Sequence, residues 1–172
     1  TPQIELATHR SGIGNGLSFD GVDDYVSIPA TTSLTSLTDG FSVNFWVNLP
    51  TIQNNKKIIS AWGNRGLFYI GMENGNLIIH LDGPSVRSPI SYSLDNYTSQ
   101  WLNVVFTFDN TNKKLYFNGT LVASTDDAGG PVYDSGTYNG GAFRFGACNS
   151  NCSENFTQLL LDEVAIWNES LT

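Results

Sequence analysis

Two adjacent carboxylates, Asp162 and Glu163, interrupt the apolar run LLLDEVAIW near the end of the sequence. On a β-strand, neighbouring side chains point to opposite faces, so Leu160, Asp162, Val164 and Ile166 are expected to share one face. One of the two acids is then predicted to lie among apolar side chains. A buried carboxylate is unfavourable unless a cation, a metal or hydrogen-bond donors compensate its charge. The pair therefore predicts either a metal ligand or a hydrogen-bonded core acid.

A tryptophan flanked by amides is the first candidate for ligand binding. In FSVNFWVN, strand alternation turns the Phe and Val side chains inward and leaves Trp46 on the outer face between Asn44 and Asn48. An aromatic ring can stack on the CH groups of a sugar while neighbouring amides bond its hydroxyls. Trp62, at a predicted strand end, is a second candidate. For both rings the alternative is packing under a loop.

One further loop is a candidate for ligand binding, and two other tryptophans are not. The loop FDNTNKK, with Asp109 and Asn110, is a candidate ligand position at the rim of the fold, although it fits a hairpin turn equally well. Trp101 and Trp167 begin and end predicted strands, and we expect them to pack in the core or at a sheet edge.

Catalytic constellations are absent from the sequence. Glycoside hydrolysis needs two carboxylates on either side of one sugar, whereas the acidic pairs here are adjacent doublets that diverge on a strand. The two histidines are isolated, and no nucleophile and base stand near each other in sequence. We therefore predict a non-catalytic protein.

Composition limits the partners. The chain has 172 residues and a formal net charge of −8, so nucleic acid and anionic lipid surfaces would repel it. The doublets Lys56-Lys57 and Lys113-Lys114 are expected to lie at solvated loop tips. No apolar run approaches the roughly 20 residues of a membrane span, which predicts no membrane insertion. No basic and apolar leader precedes Thr1, so we expect a mature secreted domain or an excised one.

Cysteines and glycosylation sequons favour an extracellular or cell-surface location. Cys148 and Cys152 are close enough in sequence for a disulfide across a tight turn, whereas a zinc site would need further ligands nearby. Five N-x-[ST] sequons agree with this setting. They begin at Asn96, Asn118, Asn151, Asn155 and Asn168.

Alternating or β-rich runs recur along the whole chain, without sustained helical periodicity. Eleven strands are predicted, several of them joined by Asn-Gly turns, and this number fills two antiparallel sheets. The Gly-rich stretch DDAGGPVYDSGTYNGGAF is predicted to be a long loop. We expect one domain over residues 1–172, in which residues 1–15 form a lead-in strand or an extension.

Four blocks together resemble the LamG-like jelly-roll family, the concanavalin A-like sandwiches related to laminin G domains. They are LSFDGVDDYVSIP, FSVNFWVN, WLNVVFTFDNTNKKLYFNGTLVAS and LLLDEVAIWNESLT, in that order, and the similarity extends from about Gly16 to Thr172. The resemblance implies an all-β fold of two curved antiparallel sheets packed face to face as a jelly-roll β-sandwich.

The resemblance also implies a structural calcium ion. Related sandwiches hold one with a carboxylate from the last strand and with oxygens from early loops. Carried over to this sequence, the ligands are Asp162, Asp20, Asp39 and the Gly40 carbonyl. Calcium accepts several hard oxygens in irregular geometry, so such a cage is feasible. The alternative is that Asp162 accepts hydrogen bonds without a metal.

These observations predict a secreted recognition or adhesion module that binds carbohydrate or a glycosylated partner and is stabilised by calcium. The alternative is a scaffold or protein-interaction module of a larger surface protein or filament, in contact with other domains of a longer chain. Glycoside hydrolysis is the third and least favoured function for a protein of this fold class.

Overall fold

The structure is a computed structural model that describes residues 15–29, 31, 34, 37, 40–61, 68–81, 89–126, 143–148 and 155–172, together with the backbone of residues 5–8. Its strands are β1 (Glu5–Thr8), β2 (Asn15–Asp20), β3 (Val26–Ile28), β4 (Phe41–Asn48), β5 (Lys56–Ser60), β6 (Phe68–Glu73), β7 (Asn76–Leu81), β8 (Ile90–Ser93), β9 (Trp101–Phe108), β10 (Asn112–Phe117), β11 (Thr120–Asp126), β12 (Phe143–Phe145) and β13 (Gln158–Trp167).

The strands form two antiparallel sheets. One has seven strands in the order β1-β2-β13-β4-β9-β10-β11, and the other has six in the order β3-β12-β5-β6-β7-β8. Strands distant in sequence are therefore neighbours in space, as β13 lies between β2 and β4. This arrangement is an antiparallel jelly-roll β-sandwich, and it confirms the predicted fold class.

The core lies between the two sheets and follows the predicted alternation. Along β4 and β9, which pair over their full length, every second side chain is apolar and fully buried. Phe41 of the seven-stranded sheet stacks on Phe68 of the six-stranded sheet, with ring centroids 5.1 Å apart. Apolar burial of this kind is the main driving force for joining the sheets. The opposite faces of the sheets are consequently free to carry polar and aromatic side chains.

Two of the predicted hairpin turns are present at Asn-Gly pairs. Asn74 and Gly75 join β6 to β7, and Asn118 and Gly119 join β10 to β11, with left-handed φ values of 50°, 83°, 49° and 77° respectively. Such values match the two-residue turns that the twist of antiparallel strands favours. Strand β8 was not predicted, because its sequence, ISYS, carries only one fully buried apolar side chain.

The lysine doublets are not at loop tips, contrary to the prediction. Strand β10 begins before Lys113, whose side chain is 1% exposed beside the core. Lys57 lies within β5, and its ammonium group is 3.0 Å from a carboxylate oxygen of Glu73. Both lysines occupy positions on ordered strands, which a doublet in the sequence does not reveal.

Candidate functional site

The closing strand contains a β-bulge at the two acids. Asp162 pairs with Trp46 of β4, and the next regular pair is Ala165 with Asn44, so one extra residue is inserted in β13. Glu163 absorbs the insertion with a φ of 48° and is exposed. Asp162 points outward like its partner Trp46, and the bulge reverses the faces that follow it, so Val164 and Ile166 pack against the core. The predicted sharing of one face by these three residues is therefore wrong.

The bulge itself supplies a hydrogen-bond donor to the carboxylate of Asp162. Its Oδ1 accepts a hydrogen bond from the Glu163 amide at 2.8 Å, and its Oδ2 is shielded from solvent. A local side-chain to backbone bond of this kind orients the carboxylate on the outer face of the seven-stranded sheet. The acid that interrupts the apolar run thus lies outside the sandwich core.

Trp46 lies in a row that crosses three strands of that outer face. Asp162 is its neighbour on β13, and Asn103 is its neighbour on β9. The Asn103 side-chain amide donates to Asn44 Oδ1 at 2.8 Å, and the Asn44 amide donates to the Glu163 carbonyl at 3.3 Å. Asn44 therefore ties β9 to the bulge, and Trp46 is the half-buried aromatic member of the row.

Trp101 reaches across the same face and was not predicted to lie there. It is half-buried and diagonal to Trp46, because Trp101 pairs with Asn48 while Trp46 pairs with Asn103. A Cβ placed on Gly16 of β2 would lie 3.7 Å from Trp101 Cη2. In sheet order, β9 and β2 are separated by β4 and β13. The indole of Trp101 therefore extends over two strands and approaches β2 where no side chain stands in its way.

These residues define a surface that we call the tryptophan patch: Gly16, Trp46, Asn48, Trp101 and Asp162. Diagonal aromatic pairs on neighbouring antiparallel strands are within reach of each other. Two half-buried indoles offer π-faces, and the amide of Asn48 beside Trp101 offers both donors and an acceptor. The signal for Trp101 was present in the sequence, since the inward position of Leu102 turns its predecessor outward.

The structure does not bring together the predicted calcium ligands that it describes. Asp20 is level with Gln158 on β13, so Asp162 is four residues farther along that strand, about 13 Å away. Gly40 precedes β4 near Phe108, six residues beyond the level of Trp46, which corresponds to roughly 20 Å. Asp39 lies outside the described residues. The register of the sheet therefore places Asp162 apart from both Asp20 and Gly40, and calcium binding itself stays a prediction.

A different acidic group forms around Asp20. One carboxylate oxygen from each of Asp20, Asp23 and Asp24 lies within 4.8 Å of the others. Asp20 Oδ1 accepts hydrogen bonds from the amides of Val22 and Asp23, and Asp24, which is 4% exposed, accepts from the Asp20 amide at 3.0 Å. Oxygens of this kind and spacing fit around a calcium ion, which binds oxygens at 2.3–2.6 Å.

Asp109 and Asn110 form the turn between β9 and β10. Asp109 Oδ1 accepts from the amides of Thr111 and Asn112 at 2.9 and 2.6 Å. Burial alone would raise the pKa of Asp109, but these hydrogen bonds, a further one from the Asn112 side chain and the charge of Lys114 outweigh it, so the pKa lies below 3.8. Asn110 has a φ of 73°. Both residues hold the hairpin turn, and they are remote from the tryptophan patch.

A polar cluster occupies the outer face of the six-stranded sheet. Glu73 accepts hydrogen bonds at 3.0 Å from both Lys57 Nζ and the Tyr69 hydroxyl. Lys57 Nζ also lies 3.7 Å from the centroid of the Tyr69 ring, and the His80 ring stacks on Tyr69 at 5.4 Å. Burial, then the hydrogen bond to Glu73 and the charge of that residue, raises the pKa of Tyr69 far above 10.0.

The predicted glycosylation sequons that the structure describes begin at exposed or half-buried asparagines. Asn96, Asn118 and Asn168 are exposed, and Asn155 is half-buried. Asn118 lies beside the row that contains Trp46, because the backbone N–H of Asn103 donates a hydrogen bond to Asn118 Oδ1 at 3.0 Å. Cys148 is 3% exposed. Trp62, Asn151 and Cys152 lie outside the described residues, so the disulfide between Cys148 and Cys152 stays a prediction, as does the use of each sequon.

Comparison with known proteins establishes the family. Residues 20–172 match a laminin G-type family model described as the concanavalin A-like lectin/glucanases superfamily, and the chain belongs to this superfamily. Among curated proteins, botulinum neurotoxin type G of Clostridium botulinum is 27% identical over 106 residues, which cover 52% of this chain and 8% of the toxin. The chain thus spans a small part of that relative.

Solved structures show the same fold at low sequence identity. The receptor-binding domain of a botulinum neurotoxin C/D mosaic serotype superposes with a TM-score of 0.75 at 20% identity, over 99% of this chain and 42% of that one. Domain 4 of AbnA, an extracellular GH43 arabinanase from Geobacillus stearothermophilus, was solved in complex with arabinotriose. It superposes with a TM-score of 0.68 at 21% identity, over 100% of this chain and 78% of that domain.

Within the part of the chain that the structure describes, no helix has the length and apolar character needed to cross a membrane.

Proposed function

We propose that this chain is a non-catalytic extracellular recognition module that binds carbohydrate, free or on a glycosylated partner, through the tryptophan patch. The observation that carries the proposal is the diagonal pair Trp46 and Trp101, both half-buried on the outer face of the seven-stranded sheet. Carbohydrate sites combine such aromatic faces with a few placed polar groups. Superfamily membership and the arabinotriose complex of a structurally similar domain support this ligand class.

The patch has room beside the indole of Trp101 because no side chain rises from Gly16. Gly16 is buried beneath the edge of Trp101, and a side chain at this position would begin 3.7 Å from the indole. Asn48 borders Trp101 on the neighbouring strand. A sugar ring that lies on the indoles would thus meet an amide at its edge, where its hydroxyl groups need donors and acceptors.

A structural calcium ion at Asp20, Asp23 and Asp24 is part of the proposal. This acidic group occupies the turn between β2 and β3, where an ion would hold the start of the matched family region. Calcium would neutralise three neighbouring carboxylates and would supply no chemistry to a ligand on the tryptophan patch. Its role would be stabilisation of this turn.

A second candidate function, protein-protein adhesion as part of a larger surface protein, is favoured by one observation. Val105, Tyr116 and Leu121 continue the outer face beside Asn44, and Leu121 is 50% exposed. Apolar residues in a row on a sheet face can form the centre of a protein interface. Substitution of Leu121 with Ser would weaken a protein contact and would leave a sugar site at Trp46 intact.

The test is a binding assay with defined glycans. Wild type, Trp46→Ala, Trp101→Ala and the control Tyr92→Ala, an exposed aromatic on β8 of the other sheet, are applied to a glycan array that includes arabinotriose. The best ligand is then measured by calorimetry. We expect each Trp substitution to raise Kd at least about tenfold, equivalent to about 1.4 kcal/mol, while the control is unchanged.

Binding of no glycan by folded wild type contradicts the proposal. Equal affinities of the two Trp variants and wild type would contradict the assignment of the site. Circular dichroism and thermal unfolding of each variant ensure that a lost signal reflects the removed ring and not a lost fold.

A further inference from the structure

We propose that the carbohydrate site continues past the tryptophan patch to Trp167, so that it binds an extended oligosaccharide chain and not a single terminal sugar. The inference rests on the proposed function and narrows its ligand class to glycans long enough to reach a third indole. It follows from the register of β9, β4 and β13, which places Trp101, Trp46 and Trp167 on one diagonal of the sheet.

Trp167 lies on the same outer face as the tryptophan patch. It is opposite Ser42 of β4, whose two neighbours along that strand are fully buried in the core. Ile166 also packs against the core, so its successor on β13 points to the opposite side of the sheet. Trp167 is half-buried, as are Trp46 and Trp101. Among the described residues, this face therefore carries three half-buried indoles.

The three indoles follow a diagonal over neighbouring strands, with β4 between β9 and β13. On β9, Trp101 is opposite Asn48, two residues from Trp46 along β4. On β13, Trp167 is opposite Ser42, four residues from Trp46 in the other direction. The spacing of strands and residues in a sheet places the backbone of Trp46 about 8 Å from that of Trp101 and about 14 Å from that of Trp167. The whole diagonal is about 23 Å long.

These separations require more than one sugar. Stacked rings lie with their centroids roughly 4.5–7 Å apart, so one sugar cannot stack on two indoles whose backbones are about 14 Å apart. A chain that follows the diagonal places one sugar on each indole and others between them. A long ligand thus gains a stacking contact with Trp167 that a short ligand on the tryptophan patch does not make.

The interval between Trp46 and Trp167 contains no side chain as large as an indole among the described residues of β4 and β13 on this face. Asn44 is the next outward residue along β4, and Ala165 is opposite to it on β13. The Asn44 side chain is held by hydrogen bonds to both β13 and β9. A glycan chain can therefore pass from one indole to the next over an alanine and a fixed amide.

The segment that follows β13 borders the diagonal at Trp167. The Ser42 hydroxyl donates to the Glu169 carbonyl and accepts from the Leu171 amide, both at 2.8 Å. Residues 169–171 therefore cover Ser42 beside the indole, which explains why this serine is fully buried at an outward position. The segment forms a raised border on the β4 side of Trp167, and a ligand on this ring would lie against it.

The experiment measures affinity against chain length. Linear oligosaccharides of glucose, xylose and arabinose, from the dimer to the octamer, are titrated into wild type by calorimetry. We expect Kd to fall at least about fivefold from the short to the long members of a series that binds, because the long members also stack on Trp167. Trp167→Ala should bind short members as wild type does, and long members at least about fivefold more weakly.

Further variants assign the effect to the third ring. Trp46→Ala should weaken the binding of short and long members alike, because both use the tryptophan patch. Tyr116→Ala removes a half-buried aromatic from the same face, two strands from β4 and off the diagonal, and should leave the whole series unchanged. If thermal unfolding shows that Trp167→Ala is unstable, Trp167→Leu, which keeps an apolar side chain without a ring, replaces it with the same expectation.

The outcomes separate this inference from the proposed function. If short and long members bind equally, or if Trp167→Ala binds long members as tightly as wild type, the third ring is not part of the site, while carbohydrate binding at the tryptophan patch stands. Binding of no member at any length overturns the inference, and the glycan array then decides whether the proposed function also fails. If Trp46→Ala alters no affinity, both are overturned.

Discussion

Asp162 on β13 lies directly opposite Trp46 on β4, in the last regular pair before the bulge that carries Glu163. This pairing places a carboxylate next to an indole on the outer face of the seven-stranded sheet. Regular pairing up to Asp162 accounts for this placement, and the inserted residue after it turns Val164 and Ile166, two and four positions later, towards the core. The bulge thus combines two tasks, since it completes the core and positions an acid beside the candidate ligand site.

The left-handed conformation of Glu163 can be tested by a pair of substitutions. A non-glycine residue at a φ of 48° is strained, and a β-branched residue is strained further. We expect Glu163→Val to lower the free energy of unfolding by about 1–2 kcal/mol, and Glu163→Gly to leave it equal or up to about 1 kcal/mol higher. Urea denaturation measures both.

Ser91, exposed on strand β8, serves as the control for that prediction. In an ordinary strand Val is favoured over Gly, so Ser91→Val should be more stable than Ser91→Gly. The same order at Glu163 would contradict the assigned bulge.

Substitution with alanine is expected to destabilise the protein to different extents at two glycines that have nearly the same φ. Gly146 and Gly75 have φ values of 75° and 83°, but a Cβ on Gly146 would clash with the ring of Phe19, whereas nothing lies within 4 Å of one on Gly75. We expect Gly75→Ala to lower the free energy of unfolding by about 1 kcal/mol, and Gly146→Ala to lower it by about 1–3 kcal/mol more. Thermal and urea unfolding provide the values, and equal costs would contradict the packing of Phe19 against Gly146.

Stability at alkaline pH depends on Tyr69. Its pKa is raised in the folded state, above the value of 10.0 of the unfolded chain, by burial and then by Glu73. The resulting stabilisation is fully present below about pH 10 and is lost as the pH rises, because the unfolded state then releases a proton that the folded state retains. We expect Tyr69→Phe to reduce the slope of unfolding free energy against pH between about pH 10 and 12, by up to about 1.4 kcal/mol per pH unit.

Glu73→Gln is the companion variant for Tyr69. It removes a carboxylate whose hydrogen bond and negative charge both raise the pKa of Tyr69. We expect a smaller reduction of the slope than in Tyr69→Phe. Denaturation curves at several alkaline pH values give the slopes, and a wild-type slope in Tyr69→Phe would contradict the prediction.

Calcium binding at the turn between β2 and β3 is tested by unfolding with EDTA and with added calcium. At a hundredfold excess over Kd, a ligand that binds only the folded state adds about 2.7 kcal/mol. We expect calcium to raise the free energy of unfolding equally in wild type and Asp162→Asn, and much less in Asp24→Asn. Asp24 belongs to the acidic group, whereas Asp162 is about 13 Å from the level of Asp20. Loss of the gain in Asp162→Asn, or no gain in wild type, would contradict this site.

Local patterns in the sequence were sufficient for the architecture. Alternation in FSVNFWVN and WLNVVFTF predicts which side chains enter the core, because burial repeats every second residue on a strand, and the Asn-Gly pairs predict two of the hairpins. The outward position of Trp46 follows from the same alternation. Strand β8 was not predicted from alternation, because its exposed Ser and Tyr side chains give little amphipathic signal.

The site depended on contacts that no local pattern encodes. The sequence determined that an acid would lie in the last strand. The pairing of β13 with β2 and β4, regular up to Asp162 and bulged after it, decided the face of that acid. The approach of Trp101 to Gly16 and the separation of Asp162 from Asp20 are likewise set by which strands are neighbours and by their register. Sequence periodicity fixes the face of a residue on its own strand, whereas only the tertiary structure decides which residues of distant strands share that face.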